Sequence, residues 1–160
     1  MGVRRRRSAP ARGRGAARLS GLLLHIMARG KIGRSPEAEL VDRYLQRIAW
    51  PTKVTELGER APAPPAAANS VSIALDERGT AMSSPELARR LESWRDGGKR
   101  EARFLIGAAD GHDDAGREGA DLLLSFGPAT WPHLLVRAML AEQLFRATSI
   151  LANHPYHREG

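Results

Sequence analysis

Five short apolar runs, at residues 22–28, 53–57, 71–76, 102–106 and 122–126, alternate with stretches whose apolar residues recur at helical spacing. That alternation restricts the fold more than any other feature, because strand–helix–strand units bury their apolar faces most readily as a parallel sheet with helices packed on it. The expected class is α/β, a mostly parallel sheet flanked by helices, with ligands beyond the carboxyl ends of the strands. Ser35-Pro36 supplies a cap and a first-turn proline ahead of Leu40, Val41, Tyr44, Leu45 and Ile48, and Pro51 is expected to stop that helix. Ser83-Ser84-Pro85-Glu86 starts a second helix that turns Leu87, Leu91 and Trp94 inward, closed by Gly97-Gly98. A short helix is expected at 113–120 and the longest at 132–153, about 30 Å at 1.5 Å per residue. Arg78-Gly79 reads as a turn, and the Ala-Pro-Ala-Pro-Pro stretch within 59–69 as an extended surface loop.

The formal charge of +7 suggests a polyanion partner until it is located. Residues 1–18 contain seven arginines and no acid, and the 18 basic residues beyond them match 18 acidic ones. The body is formally neutral, so contact with nucleic acid must rest on local clusters. Residues 1–21 have little apolar surface to bury and are expected to be a disordered extension or the product of a misassigned upstream start codon, with 22–160 as a single domain. An RNA-binding arm and a targeting peptide are the other readings of this segment; His25 inside the apolar run, and Arg29 and Lys31 just after it, weaken the second. The absence of cysteine removes disulfides, thiolate zinc sites and cysteine nucleophiles, and suits a cytoplasmic protein. No apolar run approaches the roughly twenty residues that span a bilayer.

Gly30-Lys31 and Gly98-Lys99 lack the other residues of a phosphate-binding loop, and neither Gly-x-Gly-x-x-Gly nor Gly-x-Ser-x-Gly occurs. Nucleotide hydrolysis, dinucleotide redox chemistry and serine hydrolysis lose support. Asp113-Asp114 reads as a helix cap favoured by the dipole. Four segments place glycine, proline and polar residues after apparent strands: Leu75-Asp76-Glu77-Arg78-Gly79, Ile106-Gly107-Ala108-Ala109-Asp110-Gly111, Phe126-Gly127-Pro128-Ala129-Thr130-Trp131-Pro132-His133, and the terminal Asn153-His154-Pro155-Tyr156-His157-Arg158. Each glycine alone is explained by a turn, but their order is more specific.

From Leu22 to the carboxyl end, that order resembles the RlmH-type methyltransferases of the SPOUT superfamily. The resemblance rests on Leu105-Ile106-Gly107, on Thr130-Trp131-Pro132-His133 with Leu135-Val136-Arg137 after it, on Ala141-Glu142-Gln143-Leu144-Phe145-Arg146-Ala147, and on the Asn-His-Pro-Tyr-His-Arg-Glu ending. It implies a carboxyl-terminal trefoil knot that binds S-adenosylmethionine, a homodimer, and methylation of N3 of a pseudouridine in large-subunit ribosomal RNA on the assembled ribosome. Action on another RNA such as tRNA, or a ribosome-binding role without catalysis, are the alternatives. Cofactor contacts would fall at Leu75, Gly107, Phe126, Gly127, Pro128, Ala129, Thr130 and Trp131. His154, Tyr156, His157 and Arg158 would act on the target base, with Arg158 toward phosphate, Tyr156 toward the base and a histidine as proton acceptor. Arg29, Lys31, His133 and Arg137 are the substrate-binding candidates. No metal is expected, since Pro155 breaks the spacing of His154 and His157 and no third ligand is evident. Two departures stand out: Ala108 where the family has a second glycine, which would strain a left-handed backbone there, and Leu134 after the histidine.

Overall fold

The computed structural model describes residues 21–108, 111–112 and 114–158. The expected extension, apart from Gly21, and the Asp113 half of the expected cap lie outside the described residues. In chain order the elements are β1 (Leu23–Arg29), α1 (Pro36–Leu45), β2 (Thr52–Leu57), β3 (Ser70–Ala81), α2 (Ser84–Asp96), β4 (Glu101–Ile106), α3 (Asp114–Glu118), β5 (Leu122–Ser125) and α4 (His133–Leu151). All strand pairings are parallel, in the order β2-β1-β4-β3-β5.

Both expected caps form. Ser35 Oγ accepts from the Ala38 N–H, while Ser83 and Glu86 close a reciprocal capping box. Strand register then builds the core: Leu24, Ala102 and Val71 lie side by side, as do Ile26, Phe104 and Ile73, and then Ala28, Ile106 and Leu75. This face packs against Leu87 and Leu91 of α2 and Leu140, Leu144 and Phe145 of α4. Each such side chain contributes about 1.5–3 kcal/mol when fully buried. The other face is mixed, with His25, Ser72 and Arg103 buried on it beside Met27 and Ala74. Arg103 donates to the Pro64 carbonyl at 2.8 Å, which ties the proline-rich loop to that side.

Two expectations change. α1 ends at Leu45, well before Pro51, because the chain tightens into i→i−3 bonds from the Arg47 and Ile48 N–H groups; Ile48 is buried from outside the helix. Arg78-Gly79 is not a simple turn. β3 continues to Ala81, and Leu124 of β5 pairs with Leu75 and again, past an irregularity, with Thr80. A Cβ at Gly79 would stand 2.6 Å from the Leu123 carbonyl carbon and oxygen, so only glycine lets the two backbones pass.

α4 is tied to the β1–α1 loop by Arg137, 1% exposed, which donates to Glu56 Oε2 at 2.6 Å and to the Gly30 carbonyl at 3.3 Å. Glu56 also accepts from the Ile32 N–H. The hydrogen bond from Arg137, then that from Ile32, holds the Glu56 carboxyl below the usual range. With the folded value depressed, the stability from this pair is present above the ordinary glutamate pKa and is lost as pH falls through the lower, folded value.

Four variants test this by denaturant unfolding. Gly79→Ala loses about 1–3 kcal/mol through backbone overlap, whereas Gly58→Ala, whose nearest Cβ neighbour is 3.5 Å away, stays within about 0.5 kcal/mol. Glu56→Ala strands a buried guanidinium and costs near the lower end of the ~3–5 kcal/mol for breaking a buried pair, because Glu56 itself is 36% exposed. Arg137→Met costs less, since the carboxylate left behind reaches water; equal losses would contradict this account.

Candidate functional site

A cavity of about 220 Å³ lies beyond the carboxyl ends of β4 and β5, beside Leu75–Glu77 in the middle of β3 and against the start of α4. Seven of the eight expected cofactor residues line it: Leu75, Gly107, Phe126, Gly127, Ala129, Thr130 and Trp131. Pro128 does not, and is exposed within the same loop. His133 and Val136 close the α4 side.

Local chemistry shapes the walls. Gly127 has φ +106°, so the chain can turn sharply after β5, and the Ser125 hydroxyl caps that turn by accepting from the Gly127 N–H at 3.0 Å. Thr130 donates to Glu77 at 3.1 Å, joining the loop to β3. At the end of β4, a Cβ on Gly107 would sit 2.7 Å from the Gly111 carbonyl carbon, where Ala108 and Gly111 form a bridge. Ala108 carries no strain, because its own φ is not positive; among the described residues that follow β4, Gly111 takes the left-handed conformation at φ +84°.

Sequence reasoning missed the polar wall of Asp76, Arg117 and His112. Arg117 Nε lies 2.7 Å from Asp76 Oδ2 across 41 positions, a pairing with no local signal. Burial works to raise the Asp76 carboxyl, but hydrogen bonds from Arg117 and the Arg78 N–H, with the Arg117 charge, leave it below the usual range. Burial lowers the His112 pKa, so the ring is neutral at pH 7; it bonds the Leu105 carbonyl at 3.1 Å.

The substrate candidates divide. Arg29 donates to the carbonyls of Gly58 and Ala61 and so holds the proline-rich loop, while Lys31 is exposed at the start of the β1–α1 loop. His133 faces the cavity. Arg137 is corrected: buried and engaged by Glu56, it fixes this loop and has no surface with which to touch RNA.

The tail forms a separate cluster on α4. Tyr156 donates to Glu142 Oε1 at 3.1 Å, and its ring lies 4.5 Å from Phe145 and 4.9 Å beneath the Arg146 guanidinium. Arg146 also pairs with Glu142 and donates to His157 Nδ1 at 3.2 Å. Burial, then hydrogen bonding to Tyr44 and the Glu142 charge, pushes the Tyr156 phenol up to about 12, so it acts as a donor. His154 is exposed, with Nδ1 accepting from the Tyr156 N–H at 3.2 Å; Arg158 is exposed. None of the four lines the cavity. Glu142 is nine positions along the helix from His133, about 13 Å at 1.5 Å per residue, so one chain does not bring tail and cavity together. Among the described residues no group could hold a metal ion, and no helix is long and apolar enough to cross a membrane.

Residues 22–157 match the family model described as predicted SPOUT methyltransferase. The chain is 67% identical over 141 residues to ribosomal RNA large subunit methyltransferase H of Novosphingobium aromaticivorans, covering 87% of this chain and all of that one. It is 64% identical over 140 residues to the protein of the same name from Rhizorhabdus wittichii, with the same coverage. A crystal structure of a probable methyltransferase from Bordetella pertussis Tohama I superposes with TM-score 0.53 at 13% identity, over 85% of this chain and 99% of that one, a likeness of fold alone. Sequence, sheet order and cavity agree on one conclusion: the chain belongs to the SPOUT methyltransferase family.

Proposed function

We propose that this protein uses S-adenosylmethionine to methylate N3 of a pseudouridine in large-subunit ribosomal RNA, on the assembled ribosome in the cytoplasm, as a homodimer with a carboxyl-terminal knot. The observation that carries this reading is the cavity beyond the ends of β4 and β5 and beside the middle of β3, lined by seven of the eight residues expected to hold the cofactor. Its chemistry suits that molecule. Leu75, Leu124, Phe126 and Val136 offer apolar surface for an adenine ring, Gly107 and Gly127 leave main-chain groups accessible, and Asp76 and Arg117 offer opposite charges for hydroxyl, ammonium and carboxylate groups. The close pass of Gly79 over β5 suits a knotted carboxyl end.

When bound, S-adenosylmethionine supplies an activated methyl group on a sulfonium, so the protein's task is to position the nucleophile and manage its proton. N3 of the target is protonated near neutral pH and must lose that proton as the nitrogen–carbon bond forms. His154 is the more available acceptor, because it is exposed and its one lone pair, on Nδ1, need only give up the neutral Tyr156 N–H to take a proton, whereas His157 Nδ1 faces the Arg146 cation. Tyr156 remains protonated to donate to the base or stack on it, and exposed Arg158 meets phosphate. The gap between tail and cavity within one chain supports a site completed by a second copy, near exposed Trp131 at the cavity rim.

Labelled methyl from S-adenosylmethionine should enter a pseudouridine of unmodified large subunits within ribosomes and not tRNA; label in tRNA alone would redirect the substrate assignment. Gly107→Val should abolish cofactor binding while the thermal transition survives, because the Gly107–Gly111 turn must open. Tyr156→Ala and Arg158→Ala should bind cofactor normally and lose transfer. Mixing either tail variant with Gly107→Val should restore part of the activity if the tail serves the partner's cavity. His154→Ala should lower kcat by about 10²–10⁴ and His157→Ala by less; the reverse order would move the proton to His157.

A further inference from the structure

We propose that the pole opposite the cofactor cavity is a second RNA-binding surface, which holds ribosomal RNA through phosphate contacts and one stacked base. This rests on the ribosomal RNA reading above. A cavity of about 1160 Å³ opens at the amino ends of β1 and β2, lined by Trp50, Arg95, Lys99 and Arg100. Asp42 is the one acid among the described residues that line it. Arg47 is exposed and lies in sequence between two lining residues, Gln46 and Ile48.

Cations at this pole have a simpler explanation, because α1 and α2 end here and helix carboxyl termini attract positive charge. That effect fades beyond the last turn. Arg43 and Arg95 occupy the last turns of α1 and α2, and Arg95 is further committed to Asp96 at 3.1 Å. Arg47, Lys99 and Arg100 lie past those turns, are exposed, and form no ion pair with another described residue. Their backbones are nevertheless pinned: the N–H groups of Arg47, Lys99 and Arg100 donate to the carbonyls of Tyr44, Trp94 and Asn69. Three exposed cations on fixed backbone, with no ion-pair partner among the described residues, suit a phosphate chain.

Beside them the Arg95 guanidinium lies 5.2 Å from the Trp50 ring centre, a flat cationic plate of the kind that receives an unpaired base. The root of the arginine-rich segment meets the same place. A Cβ on Gly21 would be 3.1 Å from Pro51 Cδ and 3.7 Å from Trp50 Cγ, and seven arginines without an acid precede it within residues 1–18. Gly21, which follows that arginine-rich sequence, thus lies beside Trp50. The six residues of β4 separate this pole from the cofactor cavity, about 20 Å at ~3.3 Å per residue, so contacts here select and hold the RNA without touching the reacting base.

The test compares the full protein with Arg47→Ala/Lys99→Ala/Arg100→Ala and with a chain lacking residues 1–20. Each is assayed for cofactor Kd, for kcat and KM on unmodified ribosomes, and for the salt dependence of KM. Loss of three phosphate contacts should raise KM about tenfold at moderate salt and flatten the slope of log KM against log salt by about 2. kcat and cofactor Kd should not change, and removing residues 1–20 should flatten the slope further. An unchanged KM and slope in both variants overturns the proposal, as does a higher KM whose salt slope matches the parent. If the parent transfers no methyl to any RNA, the ribosomal RNA reading fails. Filter binding of naked large-subunit RNA by the same variants then decides the patch through its own salt slope.

Discussion

The last helix is the element on which everything else is hung. α1 and α2 both pack on α4, and its buried residues run from Arg137 through Ala138, Leu140, Ala141, Leu144, Phe145, Ala147 and Thr148 to Ser149. Nearly every side of its middle is covered, which explains why its sequence shows no clean apolar stripe. Small residues at 138, 141 and 147 let neighbouring elements approach closely, while larger ones fill the space above the sheet. Its first turns face the cavity through His133 and Val136, the next residue locks the β1–α1 loop, and Glu142, Phe145 and Arg146 receive the tail. Cavity, basic loop and tail are thus spaced along one rigid rod, and a shift of the rod would move all three.

Legibility in the sequence followed the range of the interaction. Ser35 and the Ser83–Glu86 box act within three residues, and both caps form where the spacing places them. Strand existence was equally plain, because apolar runs must be buried somewhere. Failures came where distant segments compete. Gly79 looks like a turn residue locally, yet its role is set by Leu123, 44 positions later, which the extended β3 passes at backbone contact. Arg137 looks like a surface cation next to a histidine; only the fold brings Glu56 to it from 81 positions away.

The cavity shows the same division. Its glycines follow strand ends, and the residues that the resemblance groups together line one cavity, Pro128 excepted. Asp76, Arg117 and His112 escaped because each is unremarkable alone, and their pairing across α3 has no periodic signature. Ala108 illustrates the converse: a departure from the family pattern suggests strain, but its own φ is not positive, so the substitution is conformationally neutral.

Charge placement ties these points to recognition. With the body formally neutral, long-range attraction to a polyanion is weak, and contact must come from cations whose positions are fixed. The fold spends several arginines internally: Arg137 on Glu56, Arg117 on Asp76, Arg103 beneath the proline-rich loop and Arg146 on the tail. Each has a carboxylate or carbonyl partner that a neutral side chain would leave unsatisfied, and none of these counts toward RNA affinity. The exposed cations left over are spread widely, Arg34, Arg43, Lys53, Arg60, Arg78, Arg89 and Arg90 among them, and five others bear on the proposed contacts. Lys31 and Arg158 lie on the side of the chemistry and its tail, and Arg47, Lys99 and Arg100 at the amino ends of the strands. A protein so arranged gains orientation on its substrate from the separation of two modest clusters, where a single broad basic face would supply affinity but little geometry.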